Sequence, residues 1–377
     1  MKLKKILVTD GLFPNKYASW RNVELISFLE EYETSFLVKH GKSYAGITFE
    51  VDFEHQLFSS YFRNSSYKFQ IFDPNYNHLN KFNGGFDGTS FNGKNNHYSY
   101  CLTKENDFNV ENFDLIYHIF LGSYVDFNQN FAFEQNKQLV HLYPGGGFVP
   151  GQSSQLSRNV NVVTTHPIST VEIEEYGIRH ISCLTVPLYL KKEKPNPISH
   201  EPSRLNVCFS SLGGDKAKGA SKYWWIVTFY KILFPLSKVR FYSVGNCKKN
   251  PFIKKLAPMS FRDLENFYCK NIDLYLNLAS DRAFNGWPLG LEAVKNGAAL
   301  LTTDPNNIAE KMNATKYQIM PLKSVLDFIC EIRSLDRDSH KLNILKENHQ
   351  LFVRDYAGFD NQQKRIFRFI REILKDS

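Results

Sequence analysis

The chain has few cysteines, no long hydrophobic run and no excess of acid. Its six cysteines, Cys101, Cys183, Cys208, Cys247, Cys269 and Cys330, are scattered over 377 residues without a C-x-x-C pair. That spacing excludes the common zinc motifs and a disulfide framework, and fits free thiols in a reducing cytoplasm. The longest greasy stretch, "YWWIVTFYKILFPL", is interrupted by Lys231 and falls short of the roughly 20 residues that cross a bilayer. The opening "MKLKKILVTDGLFP" turns polar at Asp10, too soon for the apolar core of a signal peptide, so it reads as a first strand. Zinc-finger, RNP and basic-zipper signatures are lacking, which argues against nucleic acid as a partner.

What is present describes a folded α/β chain. Hydrophobic residues at 42% and charged residues at 22% exclude a disordered polymer, and the length allows two domains. A net charge of +8 favours anionic partners such as nucleotide phosphates or an anionic membrane surface. Residues 1–190 open as strand "KKILVTD", loop and helix-like "WRNVELISFLEEY", the rhythm of an α/β domain. At about 41–110 an insertion rich in Asn, Gly and aromatics breaks that rhythm and reads as turns and short antiparallel strands. Three strand-like runs, each ending in a loop, follow: "FDLIYHIFLGS", "KQLVHLYPGGGF" and "VNVVTTHPISTVEIEEYGI"; "HISCLTVPL" is a further strand.

Residues 191–204, "KKEKPNPISHEPSR", hold three prolines and little to bury, and read as a linker. Residues 205–357 restart the pattern, with helices expected at "ASKYWWIVTFYKIL" and "SFRDLENFYCKN" and strands at "RLNVCFSS", "KVRFYSVGNC", "IDLYLNLAS" and "GAALLTTD". Residues 358–377 form a basic amphipathic helix whose apolar face, Ile366, Phe367, Phe369, Ile370, Ile373 and Leu374, either packs back on the first domain or lies on a membrane surface. Two α/β halves joined by a linker imply a cleft, with ligands at the carboxyl ends of the strands.

Chemistry concentrates in the second half. In "FNGWPLGLEAVKNGAALLTTD", Pro288 suits a first helical turn and Gly297 the residue just past a helix end, so 289–296 should be a short helix. Its amino end follows Asn285–Gly286 and a strand, a place where free N–H groups and the helix dipole attract phosphate. Glu292, one turn in, can accept hydrogen bonds from the vicinal hydroxyls of a ribose, or can be merely solvated or capping. "SSLGGDKAKGA" supplies a complement: Gly213 and Gly214 let the backbone approach a phosphate, and Lys216 or Lys218 can offer it a charge. Ala220–Ser221 stands where a Walker A loop needs Lys-Ser/Thr, so ATP hydrolysis is not indicated.

Together these motifs resemble the carboxyl-terminal donor domain of GT-B glycosyltransferases, in particular the large retaining family 4. The resemblance covers about 204–310 and is architectural over 1–190. It implies two Rossmann-like domains facing each other across a cleft. It implies that Lys218 contacts the donor diphosphate, that Glu292 is the second glutamate of the E-x7-E motif and holds the ribose, and that Asn285, Gly286 and Trp287, with Leu289 and Gly290 behind them, face the donor sugar. Phe284 stands at the first glutamate of that motif, and Leu212 where the family has a diphosphate-binding arginine.

In the first half, His118, His141 and His166 each lie near the end of a strand-like run and are candidate catalytic groups, or structural hydrogen-bonders. Gly11 and the glycines of "YPGGGF", Gly145, Gly146 and Gly147, can line the acceptor side with backbone N–H groups. Asp336 and Asp338 imitate a D-x-D metal motif, but lie in a charged helical segment that sends them to different faces. The expected activity is metal-independent, hexosyltransferase-type transfer from a nucleoside diphosphate sugar to a glycan or lipid-linked glycan, as in bacterial-type surface polysaccharide assembly. It needs no cofactor, and is placed in the cytoplasm or peripherally on the inner face of the membrane. A GT-B epimerase and a catalytically silent sugar- or partner-binding subunit are the rival readings.

Overall fold

The computed structural model describes residues 4–10, 32–39, 43–44, 47–48, 67–72, 90–93, 96–102, 109–129, 131, 133, 135–142, 151–183, 204–211, 218–245, 247–259, 261–280, 287–357 and 359–375. Two compact units divide the chain. One comprises Met1–Gly145, Val149–Val186 and Gln363–Ser377, the other Gly146–Phe148 and Pro187–Gln362. The expected linker and the helix expected near 20–32 lie outside the described residues.

The first unit is built on a nine-stranded sheet. Its strands are β1 (Lys5–Asp10), β2 (Glu33–Lys39), β5 (Tyr67–Phe72), β6 (Ser90–Gly93), β7 (Asn96–Leu102), β8 (Leu115–Ile119), β9 (Gln138–Leu142), β10 (Asn161–Thr164) and β11 (His180–Ser182), in the order β11-β10-β9-β8-β1-β2-β5-β7-β6. β3 (Ser43–Tyr44) and β4 (Ile47–Thr48) form a separate antiparallel pair. Every residue of β8 and β9 is buried, which is why "LIYHI" and "QLVHL" read as continuous rather than alternating apolar runs. From β1 the chain order runs outward through β2 and from β8 outward through β9, so the topology switches between β1 and β8.

The sequence reading differs from this unit in two ways. Among the described residues of 41–110 only β3–β4 and β6–β7 are antiparallel, whereas β5 pairs parallel to both β2 and β7 and extends the main sheet. The Asn- and Gly-rich composition marked the turns, but strand direction is set by pairing partners distant in sequence. Two of the strand-like runs also continue into helices, α1 (Leu121–Asn128) and α2 (Pro167–Glu175). α2 carries a local signal, a capping residue at His166 followed by Pro167. α1 carries none, since its N-cap Phe120 has φ +73° and makes no side-chain cap.

The final helix, α8 (Phe359–Lys375), buries Ile366, Phe367, Phe369, Ile370, Ile373 and Leu374. Lys137 Nζ donates to Ile373 O at 2.7 Å, Arg365 Nη2 to Ser182 O at 2.7 Å, and Arg179 lies over the Phe369 ring. The apolar face of this helix is therefore consumed by core packing and offers nothing to a membrane.

The second unit holds a five-stranded parallel sheet of β12 (Asn206–Ser211), β13 (Arg240–Gly245), β14 (Ile253–Leu256), β15 (Leu274–Asn277) and β16 (Ala299–Thr302), in the order β14-β13-β12-β15-β16. Its longer helices are α3 (Ala220–Leu233), α4 (Phe261–Asn271), α5 (Trp287–Lys295), α6 (Val325–Arg337) and α7 (Ser339–Phe352). The inner face of α3, Tyr223, Ile226, Val227 and Tyr230, joins Val207, Phe209, Leu274 and Leu276 of the sheet and Phe328 and Ile332 of α6 in one core. Asp273 ties the amino ends together. Its carboxylate accepts from Asn206 N at 3.0 Å and from Lys346 Nζ of α7 at 2.7 Å, while its carbonyl accepts from Ala299 N at 2.8 Å.

Edge strand β16 is closed by α7. Leu300 N donates to the Nδ1 of buried His349 at 2.9 Å, so the ring proton sits on Nε2, toward Gln318 O. Burial lowers this imidazole's pKa from 6.5 to about 4. The ring is held neutral because a protonated Nδ1 could not accept from Leu300.

A pH dependence follows. At neutral pH both folded and unfolded chains carry a neutral His349. As pH falls below 6.5 the unfolded chain takes up a proton that the folded chain refuses until about 4, and stability drops by up to about 1.4 kcal/mol per pH unit in that window. In urea titrations, the stability lost between pH 6.5 and pH 5 should be about 2 kcal/mol smaller in His349→Asn than in the parent chain. Equal losses would exclude His349 as a source of acid sensitivity.

Candidate functional site

In the second unit, β12 connects through α3 to β13 on one side, and β15 connects through α5 to β16 on the other. β12 and β15 are neighbours, so their carboxyl ends frame the switch point where open parallel sheets bind ligands. Both connections that carry the sequence motifs leave from here.

The turn after β12 ends in Lys218 and Gly219. Gly219 caps the start of α3 with φ +84°. A Cβ on it would overlap the Leu278 carbonyl oxygen and come within 2.7 Å of the Leu278 Cβ. Gly219 is thus pressed against the chain just past β15, and only a residue without a side chain permits both the backbone angle and the approach. Lys218, half-buried, is the last residue before that contact.

α5 runs Trp287–Lys295, close to the expected 289–296. It ends as expected, with Gly297 at φ +101°. Gly297 N donates to Val294 O at 2.9 Å and Ala298 N to Ala293 O at 3.1 Å, the paired bonds of a Schellman motif. The helix is buried on nearly every side. Gly290 packs against β16 so closely that a Cβ would stand 2.8 Å from Leu300 Cδ1, and Leu289 is half-buried beside it. Trp287 is buried, edge-on to Phe352, with its indole Nε1 donating to Asp304 Oδ1 at 3.4 Å. Lys295 Nζ pairs with Glu265 Oε1 of α4 at 2.8 Å. Trp287 at the amino end and Lys295 at the carboxyl end thus fix where α5 begins, and its first N–H groups have no intrahelical acceptor.

Glu292 is only 2% exposed. Its charge acts on two buried tyrosines. Tyr275 OH lies 2.7 Å from Ser210 Oγ, and Tyr268 OH donates to Ser210 Oγ at 3.3 Å. Burial raises both phenol pKa values well above normal, and the Glu292 carboxylate adds to the effect. The two hydroxyls therefore remain protonated donors. Sequence reasoning missed this cluster because Tyr268 and Tyr275 look like core aromatics; only the fold brings α4, β12, β15 and α5 to one point.

In the first unit, His118 stands on β8 at the β1/β8 switch. Its Nδ1 lies 2.8 Å from Thr9 Oγ1 of β1 and its Nε2 2.9 Å from Gln138 Oε1. Gln138 Nε2 donates to Phe133 O, which leaves Oε1 as acceptor and places the ring proton on Nε2. Both nitrogens of this fully buried ring are occupied, and burial lowers its pKa to about 3 despite the Gln138 bond. His141 accepts or donates through Nδ1 to Tyr117 OH at 2.9 Å; its buried Nε2 has no hydrogen-bond partner among the described residues, and burial lowers its pKa to about 3. Because side chains alternate along β8 and His118 meets Tyr124 of α1, Tyr117 and His141 face the opposite side of the sheet. His166 caps α2, accepting from Ile168 N at 3.1 Å. The three histidines thus occupy three separate environments.

Gly11, Gly145, Gly146, Gly147, Gly213, Gly214, Lys216, Asn285 and Gly286 lie outside the described residues. Asp336 bonds Arg333, Tyr230 and Ser237, while Asp338 caps α7; among the described residues no cluster of His, Cys, Asp and Glu could hold a metal ion.

No family model and no curated protein matches the chain. Solved structures do. HepE from Anabaena in complex with UDP and glucose is similar with a TM-score of 0.64 and 12% identity, over 98% of this chain and 100% of that one. Sucrose-phosphate synthase from Thermosynechococcus elongatus is similar with a TM-score of 0.61 and 10% identity, over 99% and 100%. The α,α-trehalose 6-phosphate synthase from Burkholderia multivorans is similar with a TM-score of 0.61 and 10% identity, over 100% and 98%. The likeness shows the fold, a two-domain GT-B α/β architecture spanning the whole chain.

The Gly219 contact has a measurable consequence. Gly219→Ala adds left-handed strain of about 1–2 kcal/mol and a backbone overlap costing a further ~1–3 kcal/mol. Gly177→Ala, at φ +67° with nothing within 4 Å, should suffer the strain alone. A urea midpoint lowered equally by the two substitutions would show that the close approach to Leu278 does not exist.

Proposed function

We propose that this chain is a glycosyltransferase that moves a hexosyl group from a nucleoside diphosphate sugar to a glycan or lipid-linked glycan, in the manner of retaining family 4 enzymes and of bacterial-type surface polysaccharide assembly. One observation carries the reading: Lys218 and the amino end of α5 flank the same β12/β15 switch, with Glu292 one turn behind. A diphosphate at that switch meets the Lys218 ammonium and the positive amino end of the α5 dipole, and these groups stabilise the charge that develops on it as the sugar departs. The nucleoside ribose lies toward Glu292, whose carboxylate accepts from its hydroxyls. The chemistry so assigned needs no metal ion, since cationic and dipolar groups of the protein serve the leaving diphosphate. The work is done in the cytoplasm or at the inner membrane face. UDP-sugars are the first donors to try, because HepE was solved with UDP and with UDP-glucose.

A second reading, a catalytically silent GT-B subunit, is favoured by the burial of Glu292 and by Phe284 and Leu212 where the family has charged residues. In it the carboxylate belongs to the interior of the unit and binds no ribose.

Thermal-shift titration with nucleoside diphosphates, followed by donor hydrolysis, tests the proposal. Glu292→Gln replaces a charged acceptor worth about 1.5–3 kcal/mol, so donor affinity or turnover should fall roughly tenfold to a hundredfold. The melting temperature of the empty protein should change little. Lys218→Ala should weaken the same step. If Glu292→Gln unfolds the protein and leaves the folded fraction with unchanged donor binding, the carboxylate is structural and the site assignment fails; no turnover with any donor is the outcome that the second reading expects.

A further inference from the structure

Helix α3 is apolar on both sides. Opposite its core face, Trp225 (47% exposed), Phe229 (41%), Ile232 and Leu233 point to solvent, and Leu236 just beyond the helix is 94% exposed. Positions i, i+4, i+7 and i+8 form one continuous stripe. Within it Trp225 and Phe229 stack with centroids 5.2 Å apart, and Trp224 meets Trp225 edge-on at 4.8 Å. The stripe continues onto the loop before β14. Trp224 Nε1 donates to Lys249 O at 3.1 Å, Asn250 Nδ2 donates to Thr228 Oγ1 at 2.9 Å, and Asn250 in turn holds the backbone N of exposed Phe252. A helix with one face in a core ordinarily turns polar residues outward; a contiguous apolar surface marks a docking site.

Along the chain its flanks are of one sign, and the acids that reach α3 from α6 are engaged, Asp327 by Ser324 N and Asp336 by Arg333, Tyr230 and Ser237. Residues 216–262 contain eleven of the 46 Lys and Arg and none of the 38 Asp and Glu, leaving 35 basic against 38 acidic residues elsewhere. The whole positive excess of the chain therefore lies in the segment that carries the stripe. Lys238, Arg240, Lys248, Lys249, Lys254 and Lys255 are exposed, and none forms an ion pair among the described residues. A second copy of the chain would set this charge against its own like. An anionic bilayer answers both features, with phosphates for the lysines and an interfacial layer that accommodates Trp and Phe.

We propose that the outer face of α3, with Phe252 and the basic rim of β13 and β14, is the surface by which the protein docks on an anionic membrane. This deepens the peripheral placement proposed above and moves it from the basic carboxyl-terminal helix to the second unit. It depends on the sugar-transfer reading only for its purpose, and the test uses no donor, so either can fail alone.

The experiment is flotation of the full chain with vesicles of phosphatidylcholine alone or mixed with phosphatidylglycerol, together with tryptophan emission and sedimentation. The chain should float only with anionic vesicles, with a blue-shifted emission, and about 1 M salt should release it. Lys248→Glu, Lys249→Glu, Lys254→Glu and Lys255→Glu combined should weaken binding at least about a hundredfold, from roughly fivefold per basic residue. Trp225→Ser with Phe229→Ser should weaken it by tenfold or more. Both variants change exposed side chains, and unchanged melting temperatures should confirm that they fold. Arg368→Gln on α8 should bind like the parent. Equal binding to neutral vesicles, indifference to both variants, or loss in Arg368→Gln would overturn the proposal. So would a parent dimer that the Trp225/Phe229 variant makes monomeric without any vesicle binding, which would assign the stripe to a second copy.

Discussion

The approach of Gly219 to Leu278 is the constraint on which the candidate site rests. Two connections leave adjacent strands at the switch of the second sheet, one from β12 and one from β15. The start of α3 lies against Leu278, just past β15, only because Gly219 has no Cβ. That contact brings Lys218 beside the strand that leads into α5. Without it the start of α3 would have to move outward by the thickness of a side chain, and Lys218 would leave the end of β15.

The opposite edge of the same sheet is fixed by charge and hydrogen bonding. Asp273 gathers β12, β15, β16 and α7 at the amino ends, and His349 seals the outer edge of β16. Both are buried polar groups with partners, and a buried polar group of that kind specifies an arrangement because the alternatives leave it unsatisfied. The carboxyl ends, where the motifs lie, are then positioned by a frame at the other end of the strands.

The two units use buried histidine in the same physical way. His118, His141 and His349 are all held neutral by burial, and His118 and His349 use one ring nitrogen to accept and the other to donate. A strand-end histidine therefore carries no functional message until its partners are known. Glu292 raises the same question from the other side. Its place in the sequence matches a ribose-binding motif, and its burial beside Tyr268 and Tyr275 gives it a structural environment as well.

By itself the sequence determined whatever depends on neighbours along the chain. The α/β alternation, helix α3 with the bounds read from its apolar run, the position of α5 and its glycine stop follow from periodicity and from backbone preferences of Pro and Gly, which act over a few residues. Tertiary structure decided whatever depends on residues far apart. Parallel pairing of β5 and β7, the helices after β8 and β10, the tyrosine cluster around Glu292 and the occupied ring of His118 each needed partners from separate segments. The same holds for α3, whose apolar run does not say which of its sides is buried. Only packing shows that one side of it is left facing water, since hydrophobicity sets how much surface seeks burial, and the fold sets how much finds it.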